Sequence, residues 1–181
     1  MATGTPFDDG LSALGRARVD LLAGVRPLDP VQLRFTPGPG RWSIAQVVEH
    51  LVLAEELALR GLQSPRPVAH RGMAAVATLR YAVVKGALGT RLVRGRTPSR
   101  ALHPEGVAGL DALERRWVEA GAGLEAFLRD LPPPRRGERL FRHPAAGWLS
   151  LHQMLDFLAW HVRHHHRQVR SIRRAAGFPR G

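Results

Sequence analysis

Four histidines fall within six positions of one segment: His161, His164, His165 and His166. If the segment is a helix, His161 and His165 are one turn apart and share a face. That spacing presents two imidazoles to one metal ion. The third ligand has to come from another segment, and the best candidate is His50. The chain has no cysteine, so any metal site must use histidine together with carboxylate or water.

The three histidines occupy positions on predicted core-facing stripes, where apolar residues are expected. The stripes are Met154, Leu158, His161, His165 and Ile172 on one helix and Val47, His50, Ala54 and Leu57 on another. A buried imidazole without hydrogen bonds costs about 1–3 kcal/mol. A divalent metal removes that cost, because it takes a lone pair from each neutral ring. Three protein ligands leave a coordination position open, as catalytic sites do.

Two further residues are candidates for a general base or for a partner that orients the ligands. His164 lies on the shoulder of the histidine stripe. Glu49 adjoins His50 and is turned about 100° away from it on a helix, so we expect a solvent-exposed carboxylate. Three further histidines, His70, His103 and His143, are expected to be solvated or to make loop contacts.

Helical periodicity organises the chain into four long segments, predicted at 8–25, 43–62, 107–131 and 150–175. A shorter helix is predicted at 73–88, and no segment has a strand pattern. Proline and glycine clusters separate the segments. The sequence therefore predicts an all-α four-helix bundle with one additional short helix and no sheet, forming a single domain over residues 1–181.

Two of these helices begin with the same pattern, a serine N-cap followed three residues later by glutamine. The pairs are Ser43 with Gln46 and Ser150 with Gln153. These capping boxes define where each helix begins and so how deep its histidines lie. His50 and His161 are both two to three turns after their caps, which predicts that they meet at the same level of the bundle.

The chain is strongly basic, with a formal net charge of +12 over 181 residues. Residues 57–104 contain no Asp or Glu but carry basic residues from Arg60 to Arg100. This stretch is either a face that attracts anions or a solvated arginine surface. No nucleic-acid-binding motif accompanies the charge, so nucleic acid is not expected as a partner. No membrane span or leader is recognisable, which predicts a soluble, cytoplasmic protein.

Three segments in their order along the chain resemble the DinB / YfiT-like superfamily of small bacterial four-helix-bundle proteins. They are Gly40 through Gln46 leading to His50-Leu51, His143-Pro144 through Gly147, and Trp160-His161 with His164-His165 and Gln168. Each motif is short, but together with the helix order they cover nearly the whole chain.

The resemblance implies a bundle whose three histidines bind a divalent metal, often zinc or nickel. By motif position the ligands carry over to His50, His161 and His165. Characterised relatives include transferases that act with low-molecular-weight thiols, and other members are described as metal-dependent hydrolases. Where relatives carry Arg-Gly-Gln after the paired histidines, this chain has His166-Arg167-Gln168, so only the glutamine is retained.

The leading prediction of function is a metal-dependent enzyme, such as a low-molecular-weight-thiol S-transferase. Its substrate would be a small molecule, with an anionic thiol cosubstrate held by the basic residues of 57–104. A metal-dependent hydrolase is the first alternative. A non-catalytic binding or structural module is the second. A homodimer is compatible with such a bundle, although no interface is defined by the sequence.

Overall fold

Four long helices dominate the part of the chain that the structure describes. The computed structural model describes residues 5–64, 78–83, 86 and 99–180. Its helices are α1 (Asp8–Val25), the short α2 (Pro30–Arg34), α3 (Ile44–Gln63), α4 (Leu110–Asp130) and α5 (Leu151–Arg173). Short 3₁₀ turns occur at Arg100–Leu102 and Pro133–Arg135. Among the described residues, no helix is both long enough and apolar enough to cross a membrane.

The predicted capping boxes are present at the starts of α3 and α5. Ser43 accepts a hydrogen bond from the backbone N–H of Gln46, whose side chain accepts from the Ser43 backbone. Ser150 and Gln153 make the same reciprocal pair. The long helices begin and end within three residues of their predicted bounds. The predicted helix at 73–88 is helical at 78–83 and 86, and its other residues lie outside the described part.

The core lies where α1 packs against α5 and where α3 packs against both α4 and α5. It is built from large apolar side chains of all four long helices, including Leu14, Leu21, Leu51, Trp117, Leu124 and Met154. Because α3 carries His50 and α5 carries His161 and His165, their contact brings the predicted ligands onto one interface.

A two-stranded hairpin precedes α5, so the prediction of a fold without a sheet is wrong in this detail. Strand β1 (Phe141–His143) pairs antiparallel with β2 (Gly147–Leu149), and His143 lies opposite Gly147. Gly147 has φ of +80°, a conformation that glycine adopts without strain. Strands of three residues are too short to show an alternation of apolar and polar residues, so the sequence pattern did not predict them.

The basic stretch is described only in part. Arg60 is exposed and lies 3.8 Å from Glu56, one turn earlier on α3. Arg80 is also exposed. Arg66, Arg71 and Lys85 lie outside the described residues. The anion-binding role of residues 57–104 therefore stays a prediction.

Candidate metal centre

Three imidazoles converge at the interface of α3 and α5. His161 Nε2 lies 3.0 Å from His165 Nε2 and 3.3 Å from His50 Nε2. One nitrogen from each ring lies within 4.8 Å of the other two. The i, i+4 spacing on α5 and the inward face of α3 thus bring together the three predicted residues.

The outer nitrogens of two rings are held by hydrogen bonds. His50 Nδ1–H donates to the Leu102 carbonyl oxygen over 2.8 Å. His165 Nδ1–H donates to Gln168 Oε1 over 2.7 Å. A neutral imidazole has one N–H, so the Nε2 atoms of His50 and His165 both carry lone pairs. Outer hydrogen bonds of this kind fix the tautomer and orientation of metal-ligating histidines.

The convergence fits a metal ion better than it fits hydrogen bonding alone. His161 Nε2 carries at most one proton, so it can donate to His50 or to His165 but not to both. At least one of the two short N···N contacts is therefore left without a hydrogen bond. A divalent cation accounts for both contacts, because it accepts a lone pair from every ring. The donor set, three neutral nitrogen ligands, is one that zinc and nickel both accept.

Burial keeps the three rings neutral. Desolvation lowers the pKa of His50, although the hydrogen bond to Leu102 opposes it. Desolvation, with repulsion from His50 and His164, lowers the pKa of His165 to about 3. The pKa of His161 is held well below its ordinary value by desolvation and by its histidine neighbours. Neutral imidazole is the form that binds metal, so the site is ready for a cation at neutral pH.

Aromatic rings line the cluster. The Trp42 ring centre lies 4.8 Å from that of His50 and 6.4 Å from that of His165. Phe157 stacks on His161 with ring centres 5.4 Å apart and planes 16° from parallel. Apolar surfaces of this kind limit water access and lower the local dielectric, which strengthens electrostatic interactions at the site.

The other candidate histidines surround this cluster without joining it. His164 is half-buried and stacks on Trp160, with ring centres 5.2 Å apart. Desolvation and the nearby Arg167 charge lower its pKa. His103 is exposed, and its ring centre lies 6.2 Å from that of Trp42. His70 lies outside the described residues.

His143 is buried rather than solvated, at 9% exposure. Its Nδ1 accepts hydrogen bonds from the backbone N–H groups of Ala145 and Ala146 and so closes the hairpin turn. Its ring packs edge-on against Phe157, with ring centres 4.6 Å apart. The expected loop contact is present, and it also places His143 behind the aromatic lining of the cluster.

Glu49 does not face solvent, contrary to the expectation from its place on the helix. It is 7% exposed, and its Oε2 accepts the backbone N–H of Gly106 over 2.7 Å. The segment 99–106 covers this side of α3. Periodicity within α3 contains no information about a segment that lies 57 positions further along the chain.

Sequence reasoning missed Leu102, the partner of His50, because the acceptor is a backbone carbonyl 52 positions along the chain. No residue type marks such an acceptor. The hydrogen-bond partner of His165 could have been predicted from the sequence. Gln168 is three positions later on the same helix, and side chains at that spacing are neighbours.

The chain belongs to the DinB superfamily, whose family model matches residues 13–169. Among curated relatives, a protein of Oceanobacillus iheyensis named "Putative metal-dependent hydrolase" is 35% identical over 63 residues, which cover 35% of this chain and 32% of the relative. A Bacillus cereus (strain ZK / E33L) protein with the same descriptive name is 38% identical over 65 residues, or 36% of this chain and 33% of the relative. The match thus spans about a third of each relative.

A solved structure shares the fold. It is the structure of YfiT from Bacillus subtilis, which is described as "a probable metal-dependent hydrolase with an unusual four-helix bundle topology". The superposition covers 99% of this chain and 93% of YfiT, with a TM-score of 0.52 and 18% sequence identity. The predicted DinB-like four-helix bundle is therefore confirmed.

Proposed function

We propose that this chain is a metal-dependent hydrolase that binds one divalent metal, zinc or nickel, through His50, His161 and His165. The observation that carries the proposal is the convergence of three Nε2 atoms at one point between α3 and α5, with lone pairs fixed on two of them. His50 and His165 are buried there and His161 is half-buried. Hydrolysis is preferred to thiol transfer because the relatives and the structural neighbour described above are named as hydrolases. No contact among the described residues favours a thiol cosubstrate.

Each part of the site has a distinct task in this proposal. Leu102 and Gln168 hold the outer N–H groups, so that the imidazoles present their lone pairs to the metal. Trp42 and Phe157 keep bulk water away from the ligands. His164, half-buried and beside His165, is the candidate general base. When bound, the metal would act as a Lewis acid and make a water molecule easier to deprotonate.

Metal binding is tested first. The purified chain is treated with a chelator to remove metal and is then reloaded with zinc or nickel. The amount of bound metal per chain is measured by inductively coupled plasma mass spectrometry. We expect about one metal per chain and a large loss when His50, His161 or His165 is replaced by alanine. His166→Ala is the matched control, because it removes a neighbouring histidine of the same run that faces α1. A triple variant that binds metal as well as the parent contradicts the assignment.

The reaction class is tested separately on metal-loaded protein. The substrates are ester, amide and phosphoester panels, followed by electrophiles offered with low-molecular-weight thiols. Hydrolysis that disappears with the chelator and returns with metal supports the proposal. Metal-dependent thiol conjugation without hydrolysis would replace it with the transferase. Metal binding without either activity would leave a binding module.

A further inference from the structure

Glu49 and His50 are consecutive residues of α3, and both make hydrogen bonds to the same distant segment, residues 99–106. The Gly106 backbone N–H donates to Glu49 Oε2 over 2.7 Å. The Leu102 carbonyl accepts the Nδ1–H of His50 over 2.8 Å. The stretch from Leu102 to Gly106 is therefore attached to α3 at both ends. Pro104, midway between the two attachments, is buried.

Gly106 fits this arrangement because it is glycine. Its φ is +76°, in the left-handed region that L side chains rarely adopt. A Cβ at this position would lie 3.1 Å from Gln46 Cγ. Gln46 is itself held by the capping box at the start of α3. The end of the segment thus has little freedom to shift while its hydrogen bond to Glu49 is kept.

We propose that Glu49 is a positioning residue for the metal centre. By holding Gly106, it keeps the Leu102 carbonyl against His50, so that the proton of His50 stays on Nδ1 and its lone pair on Nε2. The inference rests on the proposed role of His50 as a ligand. His165 is held independently by Gln168 on its own helix, so the effect of Glu49 is confined to one of the three ligands.

The decisive experiment compares the parent with Glu49→Ala as full-length, metal-free proteins. Long-range ¹H–¹⁵N correlation spectra of the imidazoles report which nitrogen of each histidine carries the proton. We expect His50 to change from a single Nδ1–H form to a mixture, while His165 stays as in the parent. Zinc affinity, measured by competition with a chromophoric chelator, should fall about 10- to 100-fold, as is typical when a partner of a metal ligand is lost.

Three variants distinguish a specific effect of Glu49 on His50 from a general destabilisation of the fold. Gln168→Ala should give the opposite pattern, with His165 altered and His50 unchanged. Glu49→Gln keeps an acceptor oxygen for the Gly106 N–H and should restore most of the parent behaviour. Glu125→Ala removes a carboxylate that pairs with Arg129 on the exposed surface of α4 and should leave both histidines unchanged.

An unchanged His50 tautomer in Glu49→Ala overturns the proposal, whatever happens to zinc affinity. If that variant does not fold, Gly106→Ala decides the question, because it strains the segment at a positive φ without replacing any side chain of α3. If the parent itself binds no zinc or nickel, the proposed function fails. The tautomer measurement still tests the role of Glu49, since it needs no metal.

Discussion

Trp117 on α4 donates its indole N–H to Glu55 Oε1 on α3 over 2.7 Å, and both residues are almost fully buried. Arg18 of α1 completes this buried network by pairing with both oxygens of the same carboxylate. One carboxylate therefore ties α1 and α4 to α3, the helix that supplies His50. Buried polar groups are costly unless fully paired, and this one is paired from two sides.

Replacing Glu55 with alanine should destabilise the fold by about 3–5 kcal/mol, because the Arg18 charge and the Trp117 N–H would be left without their acceptor. Urea unfolding followed by circular dichroism measures the change. Glu125→Ala is the matched control, since Glu125 pairs with Arg129 on exposed surface and should cost less than about 1 kcal/mol. Equal losses in the two variants would show that the buried network stabilises the fold no more than an exposed ion pair does.

Two glycines inside helices should respond to alanine in opposite directions. A Cβ at Gly121 of α4 would overlap the Arg18 guanidinium, whereas a Cβ at Gly15 of α1 would meet no atom within 4 Å. Gly15→Ala should stabilise the protein by about 0.5–1 kcal/mol through helix propensity. Gly121→Ala should destabilise it, because Arg18 has to move away from Glu55. Thermal unfolding of both variants checks the sign, and stabilisation at both positions would contradict the packing argument.

The parts of the site that follow from periodicity were predictable from the sequence. His50, His161 and His165 lie on apolar stripes, and the serine–glutamine caps defined where α3 and α5 begin. The structure brings these three side chains together as expected. Local rules were sufficient for this step, because each of the three histidines lies on the inward face of its own helix.

Features that depend on segments far apart in the chain were not predictable in this way. Glu49 is buried where residues 99–106 return to α3 and the Gly106 N–H donates to it. The Leu102 carbonyl, in the same segment, carries no sequence signal. The hairpin strands are too short to alternate. Helix α2 is a different case, because Asp29 and Gln32 form a capping box with Pro30 at the first helical position. That signal was present in the sequence and was missed.

The metal-free protein should lose stability as the pH falls below 6.5. The folded-state pKa of His165 is lowered from 6.5 to about 3, so the unfolded chain binds its proton first. The stability contribution is complete above pH 6.5 and is lost progressively towards pH 3. One such imidazole accounts for about 2 kcal/mol between pH 6.5 and pH 5.

The measurement for this prediction is urea unfolding of chelator-treated parent and His165→Gln across that pH range. Burial raises the pKa of Glu55, which contributes with the opposite sign, but it does so in both proteins. The difference in slope therefore reports His165 together with its electrostatic coupling to His161 and His50. Parallel pH profiles would mean that His165 titrates alike in the folded and unfolded chains.

Zinc or nickel should raise the melting temperature of the chelator-treated protein, because the ligand set exists only in the folded state. A metal concentration 100 times the Kd contributes about 2.7 kcal/mol, which is about 5 to 10 °C for a chain of this size. The shift should shrink at acid pH, where protons compete for the same lone pairs. It should disappear in His50→Ala, which loses the ligand from α3, and persist in His166→Ala. A shift of equal size in the variant lacking all three ligands would place the binding elsewhere in the chain, and the convergence of the three Nε2 atoms would then need another explanation.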